Sequence, residues 1–190
     1  MLFRSRDQAE RFGAKFLTAK VTKVEFGESS LRVHVRDQVF TADSVIVSTG
    51  AQSLMLGLDE EERLIGRGLS TCATCDGFFF RGREIAVVGG GDSAIEEATF
   101  LTKFATKVSL IVRRDALRAS KIMQERALNN PKIEIVWNSV VSRINGSESL
   151  ESVELTDTVT GAARTLEVTG LFIAIGHRPN TDVFKGVLDM

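Results

Sequence analysis

The chain has 190 residues, of which 43% are hydrophobic and 26% charged, with a net charge of -1. That length is enough to bury a real core in one or two domains, and the balanced charge excludes a general nucleic-acid or acidic-membrane binder. No apolar run approaches the roughly 18 residues of a spanning helix, and Met1-Leu2-Phe3-Arg4-Ser5-Arg6 lacks the apolar centre of a signal peptide. The expectation is a soluble, cytoplasmic protein with neither a nucleic acid nor a membrane as partner.

In chain order, residues 5–13 read as the end of a short helix closing at Gly13. Val21 to Phe26 reads as a strand, and Gly27-Glu28-Ser29-Ser30 as a turn. Leu31, Val33 and Val35 alternate with Arg32, His34 and Arg36, the period of a half-exposed strand. Ser44 to Ser48 is a short apolar run of the kind found in buried parallel strands, stopping at Thr49-Gly50. Residues 51–70 mix loop and short helix. Glu84 to Gly89 is a second buried strand.

From Ser93 the period changes. Ala94, Ile95, Ala98, Leu101 and Phe104 recur at helical spacing, predicting a helix to about Phe104. Lys107 to Val112 is the next strand, completing a β–α–β unit of about 30 residues. A helix over 121–129 follows, then strands near 133–136, 140–144, 151–155 and 164–168. A last buried strand, Leu171 to Ile175, meets Gly176.

Gly89-Gly90-Gly91-Asp92-Ser93-Ala94 fits G-x-G-x-x-A between a strand and a helix, the context a dinucleotide site requires. Gly89 permits the tight turn, Gly91 a close pyrophosphate, and Ala94 close helix–strand packing. The phosphates would meet the free N–H groups at the helix start. The bland alternative is a glycine-rich packing turn. An NAD site usually places an acid after the second strand. Here Val112-Arg113-Arg114 stands there, with Arg118 one turn on. Arginines suit a 2′-phosphate, so NADPH is preferred over NADH. Asp115 argues against this only if it faces the phosphate.

The two cysteines of the chain are Cys72 and Cys75. Zinc normally needs four ligands, and His34 and His177 are remote in sequence, so no metal site is expected. Cys-x-x-Cys at a helix start suits thiol–disulfide exchange, because the sulfurs can bond and helix N–H groups stabilise a thiolate. Asp76 follows directly, placed to move a proton as a general acid or base. A structural pair is the competing reading.

Four segments together resemble bacterial thioredoxin reductase of the low-molecular-weight type. They are Cys72-Ala-Thr-Cys-Asp-Gly-Phe-Phe-Phe, Val87-Val-Gly-Gly-Gly-Asp-Ser-Ala, Val112-Arg-Arg-Asp-Ala-Leu-Arg-Ala-Ser and Ala174-Ile-Gly-His-Arg-Pro-Asn-Thr. The resemblance implies an α/β flavoprotein with two dinucleotide-binding domains. Its Rossmann-like NADPH-binding domain, a parallel sheet plus a small antiparallel β-meander, is inserted in the FAD-binding domain. The implied boundaries are 1–52 for the middle of the FAD domain, 53–176 for the NADPH domain with the CxxC, and 177–190 for the returning FAD segment.

The resemblance also implies site roles. Hydride passes from NADPH to FAD, then to the disulfide, then to thioredoxin. Cys75 faces the flavin, Cys72 attacks thioredoxin, and Asp76 donates the proton. NADPH is held by Gly89, Gly91, Asp92, Ser93, Ala94, Glu96, Arg113, Arg114, Arg118, Ile175 and Gly176. FAD touches Val21, Ser48, Thr49 and Gly50. Many members carry His where this chain has Val112. Members usually form homodimers.

The family's first FAD loop and closing FAD motif are not found, so the expectation is a fragment that binds NADPH and holds FAD weakly or not at all. Two other readings remain: a reductase feeding a peroxidase system, and a non-catalytic NADP-binding module. Ferredoxin–NADP reductases, which are related, lack the Cys pair.

Overall fold

The structure, a computed structural model, describes residues 2–27 and 30–189. The chain divides into two compact units, Met1–Ala51 with Pro179–Met190, and Gln52–Arg178. It passes between them near two short strands, β4 (Ala51–Ser53) and β13 (His177–Pro179).

In the smaller unit, α1 (Leu2–Arg11) ends as expected, with Gly13 in the left-handed region at φ 89°. Three strands follow, β1 (Val21–Phe26), β2 (Leu31–Val35) and β3 (Gln38–Ala42), as an antiparallel meander that buries Val24 and Val35. β3 was not expected. Its hairpin turns on Arg36-Asp37 without a glycine or asparagine signal, and Arg36 itself takes φ 54°. Of the expected turn over 27–30, Glu28 and Ser29 lie outside the described residues. Phe184 packs against Phe26, ring centroids 6.3 Å apart.

The apolar run over 44–48 is not a strand. Those residues carry no strand hydrogen bonding, and Ile46 is 91% exposed. A buried parallel strand needs a neighbour to pair with and layers to cover it. The described residues of this unit offer only the antiparallel meander.

The larger unit opens, after β4, with the short helix α2 (Glu61–Leu64) and is built on a five-stranded parallel sheet of order β5-β12-β6-β7-β8. Its strands are β5 (Leu69–Ser70), β6 (Glu84–Val88), β7 (Lys107–Ile111), β8 (Ile133–Val136) and β12 (Leu171–Ile173). Side chains alternate across it. Ile85, Val87, Val108, Leu110 and Phe172 face α4 (Asp92–Leu101) and α5 (Lys121–Leu128). Ala86, Val88, Ile111, Leu171 and Ile173 face a meander of β9 (Ser139–Asn145), β10 (Ser152–Asp157) and β11 (Ala163–Glu167). Each such Leu, Ile or Val, fully buried, contributes about 1.5–3 kcal/mol, so the covered sheet is what stiffens this unit.

α4 begins at Asp92, one residue before the expected start, and its buried positions Ala94, Ile95, Ala98 and Leu101 form one stripe. β12 stops at Ile173, so Ala174 and Ile175 fall in the loop that follows. Among the described residues, no helix is long and apolar enough to cross a membrane.

Candidate active site

Cys72 and Cys75 form a disulfide. Cys72 is the N-cap of α3 (Ala73–Asp76), a single turn that continues into a 3-10 turn over Gly77–Phe80. The Cys75 N–H donates to Cys72 Sγ at 3.3 Å, and the Asp76 N–H donates to the Cys72 carbonyl at 3.1 Å. An amide aimed at Sγ stabilises charge on that sulfur when the bond opens. Cys75 is exposed and Cys72 half-buried. Asp76 is also half-buried, and Ser70 donates to its Oδ2 at 2.6 Å. Nothing local in the sequence marks Ser70. It meets Asp76 because β5 docks on β12 and ends where the redox turn begins.

The glycine loop lies at the carboxyl ends of β6 and β7, above a cavity of about 540 Å³. Its walls include Gly89, Gly91, Asp92, Ser93 and Ala94, together with Ile175 and Gly176. Gly89 has φ 150°, and a Cβ there would stand 2.4 Å from the Ala174 carbonyl oxygen and 2.6 Å from Ala94 Cβ. Gly91 differs: a Cβ there would meet nothing within 4 Å. So Gly89 serves the chain's own packing, while Gly91 borders open space. Glu96 is exposed and is not part of the wall.

Arg113, Arg114 and Arg118 are exposed and all three line this cavity, whereas Asp115 does not. Among the described residues, no carboxylate pairs with these guanidiniums. Their loop is fastened from several sides. The Arg118 N–H donates to the Gly90 carbonyl at 2.8 Å, and the Asn138 N–H to the Arg114 carbonyl at 3.2 Å. The Thr158 hydroxyl donates to the Arg113 carbonyl at 3.1 Å. Asp92 accepts the Ser120 N–H at 2.6 Å, so its carboxylate braces the arginine loop against the glycine loop. Val112 is buried and forms apolar cavity wall where a histidine would bring a polar group.

α4 joins the two sites, since it starts at the glycine loop and packs against α3. A Cβ on Gly77, just after α3, would stand 2.9 Å from Leu101 Cδ2, which shows how closely the two elements approach. Glu97 sits on this helix with Oε2 buried and without a hydrogen-bond partner. Burial pushes its carboxyl pKa up, while the Ala73 amide and His177 pull it back. The folded chain therefore holds this proton more tightly than the unfolded one. Stability falls as pH rises from the ordinary carboxyl range through the folded value. Glu97→Gln is expected to raise the melting midpoint at pH 7 by about 2 °C, with the gain vanishing near pH 4. Calorimetry across pH 4–8 checks this, and a variant less stable than the parent at pH 7 contradicts it.

In the smaller unit, Val21 lies on β1, and Ser48, Thr49 and Gly50 lie in exposed coil. Asn180 fixes that coil, its N–H donating to the Gly50 carbonyl at 2.9 Å and its side chain to the Thr49 carbonyl at 3.1 Å. No hydrogen bond joins Val21 to this coil among the described residues. Among the described residues, no group of three or more His, Cys, Asp or Glu is placed to hold a metal ion.

Comparison with known proteins gives a consistent result. A family model described as pyridine nucleotide-disulphide oxidoreductase matches residues 5–189. A thioredoxin reductase of Streptomyces clavuligerus is 53% identical over 186 residues, covering 97% of this chain and 58% of that protein. A bifunctional thioredoxin reductase/thioredoxin of Mycobacterium leprae is 48% identical over 97% of this chain and 41% of its own length. The solved structure of a thioredoxin reductase from Giardia duodenalis superposes with a TM-score of 0.85 at 37% identity, covering 97% of this chain and 61% of that one. The chain thus spans about three fifths, or less, of the proteins it matches.

Proposed function

The chain belongs to the pyridine nucleotide-disulphide oxidoreductase family, and from that premise we propose that it is the NADPH-binding, disulfide-bearing part of a thioredoxin-disulfide reductase. The observation that carries this reading is the union of two sites on one unit. A disulfide turn and a glycine-loop cavity lined by three arginines, which meet no carboxylate among the described residues, share a single helix, α4.

In this reading NADPH lies across the cavity of the larger unit. The amides at the start of α4 and the open space at Gly91 receive the pyrophosphate. Arg113, Arg114 and Arg118 receive the 2′-phosphate, and Ile175 and Gly176 border the nicotinamide end. For FAD, the smaller unit offers Val21 and the exposed backbone of Ser48, Thr49 and Gly50. At Gly50 a Cβ would meet nothing within 4 Å, so a flat ring system can approach. FAD held there would supply the two-electron chemistry that links a reduced nicotinamide to a disulfide.

The chain's own residues do the rest. Cys72 and Cys75 store the pair as a dithiol. The Cys75 amide steadies charge on Cys72 Sγ, and Asp76 moves the proton. Thioredoxin is the proposed electron acceptor, supported by the relatives named above. For the whole protein we assign a homodimer in the cytoplasm, on the resemblance of the four motifs.

Titration of the purified chain with NADPH and NADH tests the nucleotide half. NADPH is expected to bind more tightly. Arg113→Ala with Arg114→Ala is expected to weaken NADPH about 100-fold and leave NADH unchanged, the cost of about two charge-assisted contacts. Equal affinities in the parent chain would overturn the assignment. Exchange of the pre-reduced chain with oxidised thioredoxin, followed by separation of the two proteins and thiol titration of each, tests the disulfide half.

A further inference from the structure

Ser70 belongs to neither motif, yet it is only 3% exposed and sits between the ends of the redox turn. Its hydroxyl has one proton to donate and two lone pairs. The Cys72 N–H donates to Ser70 Oγ at 3.0 Å, and Oγ donates to Asp76 Oδ2 at 2.6 Å. A further contact to the Cys72 carbonyl, at 3.4 Å, is too long to compete for that proton. One buried hydroxyl thus bridges the residue that opens the turn and the residue that closes it.

This has a chemical consequence for Asp76. An oxygen that accepts from a hydroxyl is favoured as the carbonyl oxygen of the acid form, the stronger acceptor of the two, which places the carboxyl proton on Oδ1. We propose that Ser70 is the positioning residue of the redox turn: by occupying Oδ2 it presents Oδ1 as the oxygen through which Asp76 delivers its proton. The proposal rests on the reading of Asp76 as proton donor of a disulfide reductase.

The step concerned can be followed with an external dithiol. One thiolate of the dithiol forms a sulfur–sulfur bond with exposed Cys75. The Cys72–Cys75 bond breaks, and its electron pair leaves on Cys72. The Cys72 sulfur takes the proton from Asp76 Oδ1, and the carboxylate regains one from water. The second thiolate of the dithiol closes its own ring and releases Cys75 as a thiolate. The Cys pair gains two electrons, and the dithiol loses two.

The test is the rate at which dithiothreitol reduces the oxidised chain at pH 7, read on samples quenched in acid and freed of dithiothreitol before the chain's own thiols are titrated. Parent, Asp76→Asn, Ser70→Ala and the double variant are compared, with NADPH affinity as the check on the neighbouring site. Asp76→Asn is expected to slow reduction roughly 100-fold, within the range for general acids. Ser70→Ala is expected to slow it about 10-fold, and the double variant to be no slower than Asp76→Asn alone, the non-additivity of groups acting as one. NADPH affinity should not change.

A Ser70→Ala variant at the parent rate, or losses that multiply in the double variant, overturns the proposal while leaving Asp76 as donor. Asp76→Asn at the parent rate overturns the donor reading itself. Ser70→Thr keeps the hydroxyl and serves if Ser70→Ala fails to fold. It is expected within about twofold of the parent, and a loss as large as that of Asp76→Asn overturns the proposal.

Discussion

Cys75→Ser is expected to end two-electron exchange with thioredoxin altogether and, with a thioredoxin whose second cysteine is replaced by serine and whose remaining cysteine carries a thionitrobenzoate leaving group, to trap a covalent one-to-one adduct through Cys72. A dithiol resolves its mixed disulfide because the second sulfur attacks the first, and a serine hydroxyl cannot. Cys72 is the sulfur that the Cys75 amide supports at 3.3 Å, and that amide remains when the side chain is changed. The reciprocal variant, Cys72→Ser, tests the order of attack. Cys75 is the more exposed residue in the disulfide form. An adduct formed by Cys72→Ser and not by Cys75→Ser would reverse the two roles. Neither cysteine lines the nucleotide cavity, so NADPH affinity should be unchanged in both. Non-reducing electrophoresis and mass measurement read the adduct.

Gly89→Ala and Gly91→Ala are expected to separate folding from nucleotide binding. At Gly89 the new Cβ would meet a backbone carbonyl at 2.4 Å, which cannot swing aside as a side-chain tip can. The backbone there also has φ 150°, which side chains rarely adopt. Together these should cost about 3 kcal/mol, seen in urea unfolding of the chain, with NADPH affinity lost as the loop shifts. At Gly91 the same methyl group meets nothing, so the cost should stay at about 1 kcal/mol, that of the weaker N-cap that alanine makes for α4. The methyl group would instead occupy space that the pyrophosphate needs, and NADPH affinity should drop at least about 10-fold. A stable Gly89→Ala chain, or a Gly91→Ala chain with parental affinity, would contradict the separate duties of the two glycines.

Much of the larger unit was legible because its signals are local. β6 and β7 carry short apolar stretches, β8 alternates as Ile-Glu-Ile-Val, and α4 shows its buried stripe at helical spacing. The pairing of Cys72 with Cys75 follows from a spacing that the chain itself imposes. Residues 44–48 show the opposite case. Their composition matches β6, but composition states only what a segment can do when neighbours bury it. The exposed Ile46 records that, among the described residues, none do.

The candidate site divides along the same line. Composition and spacing alone marked the cysteine pair, the glycine loop and the arginines after β7, because each is a run of residue types whose chemistry is shared along a few consecutive positions. Only the tertiary structure distinguished Glu96 from Glu97. The docking of α3 on α4 leaves the first exposed and buries an oxygen of the second. Only the tertiary structure committed Asp92 to the Ser120 amide, 28 residues on. And only the parallel pairing of β5 with β12 placed Ser70 where its hydroxyl reaches Asp76. In each case the physical reason is one: a hydrogen bond or a burial cost depends on which surfaces meet, and the local sequence does not encode its distant partner.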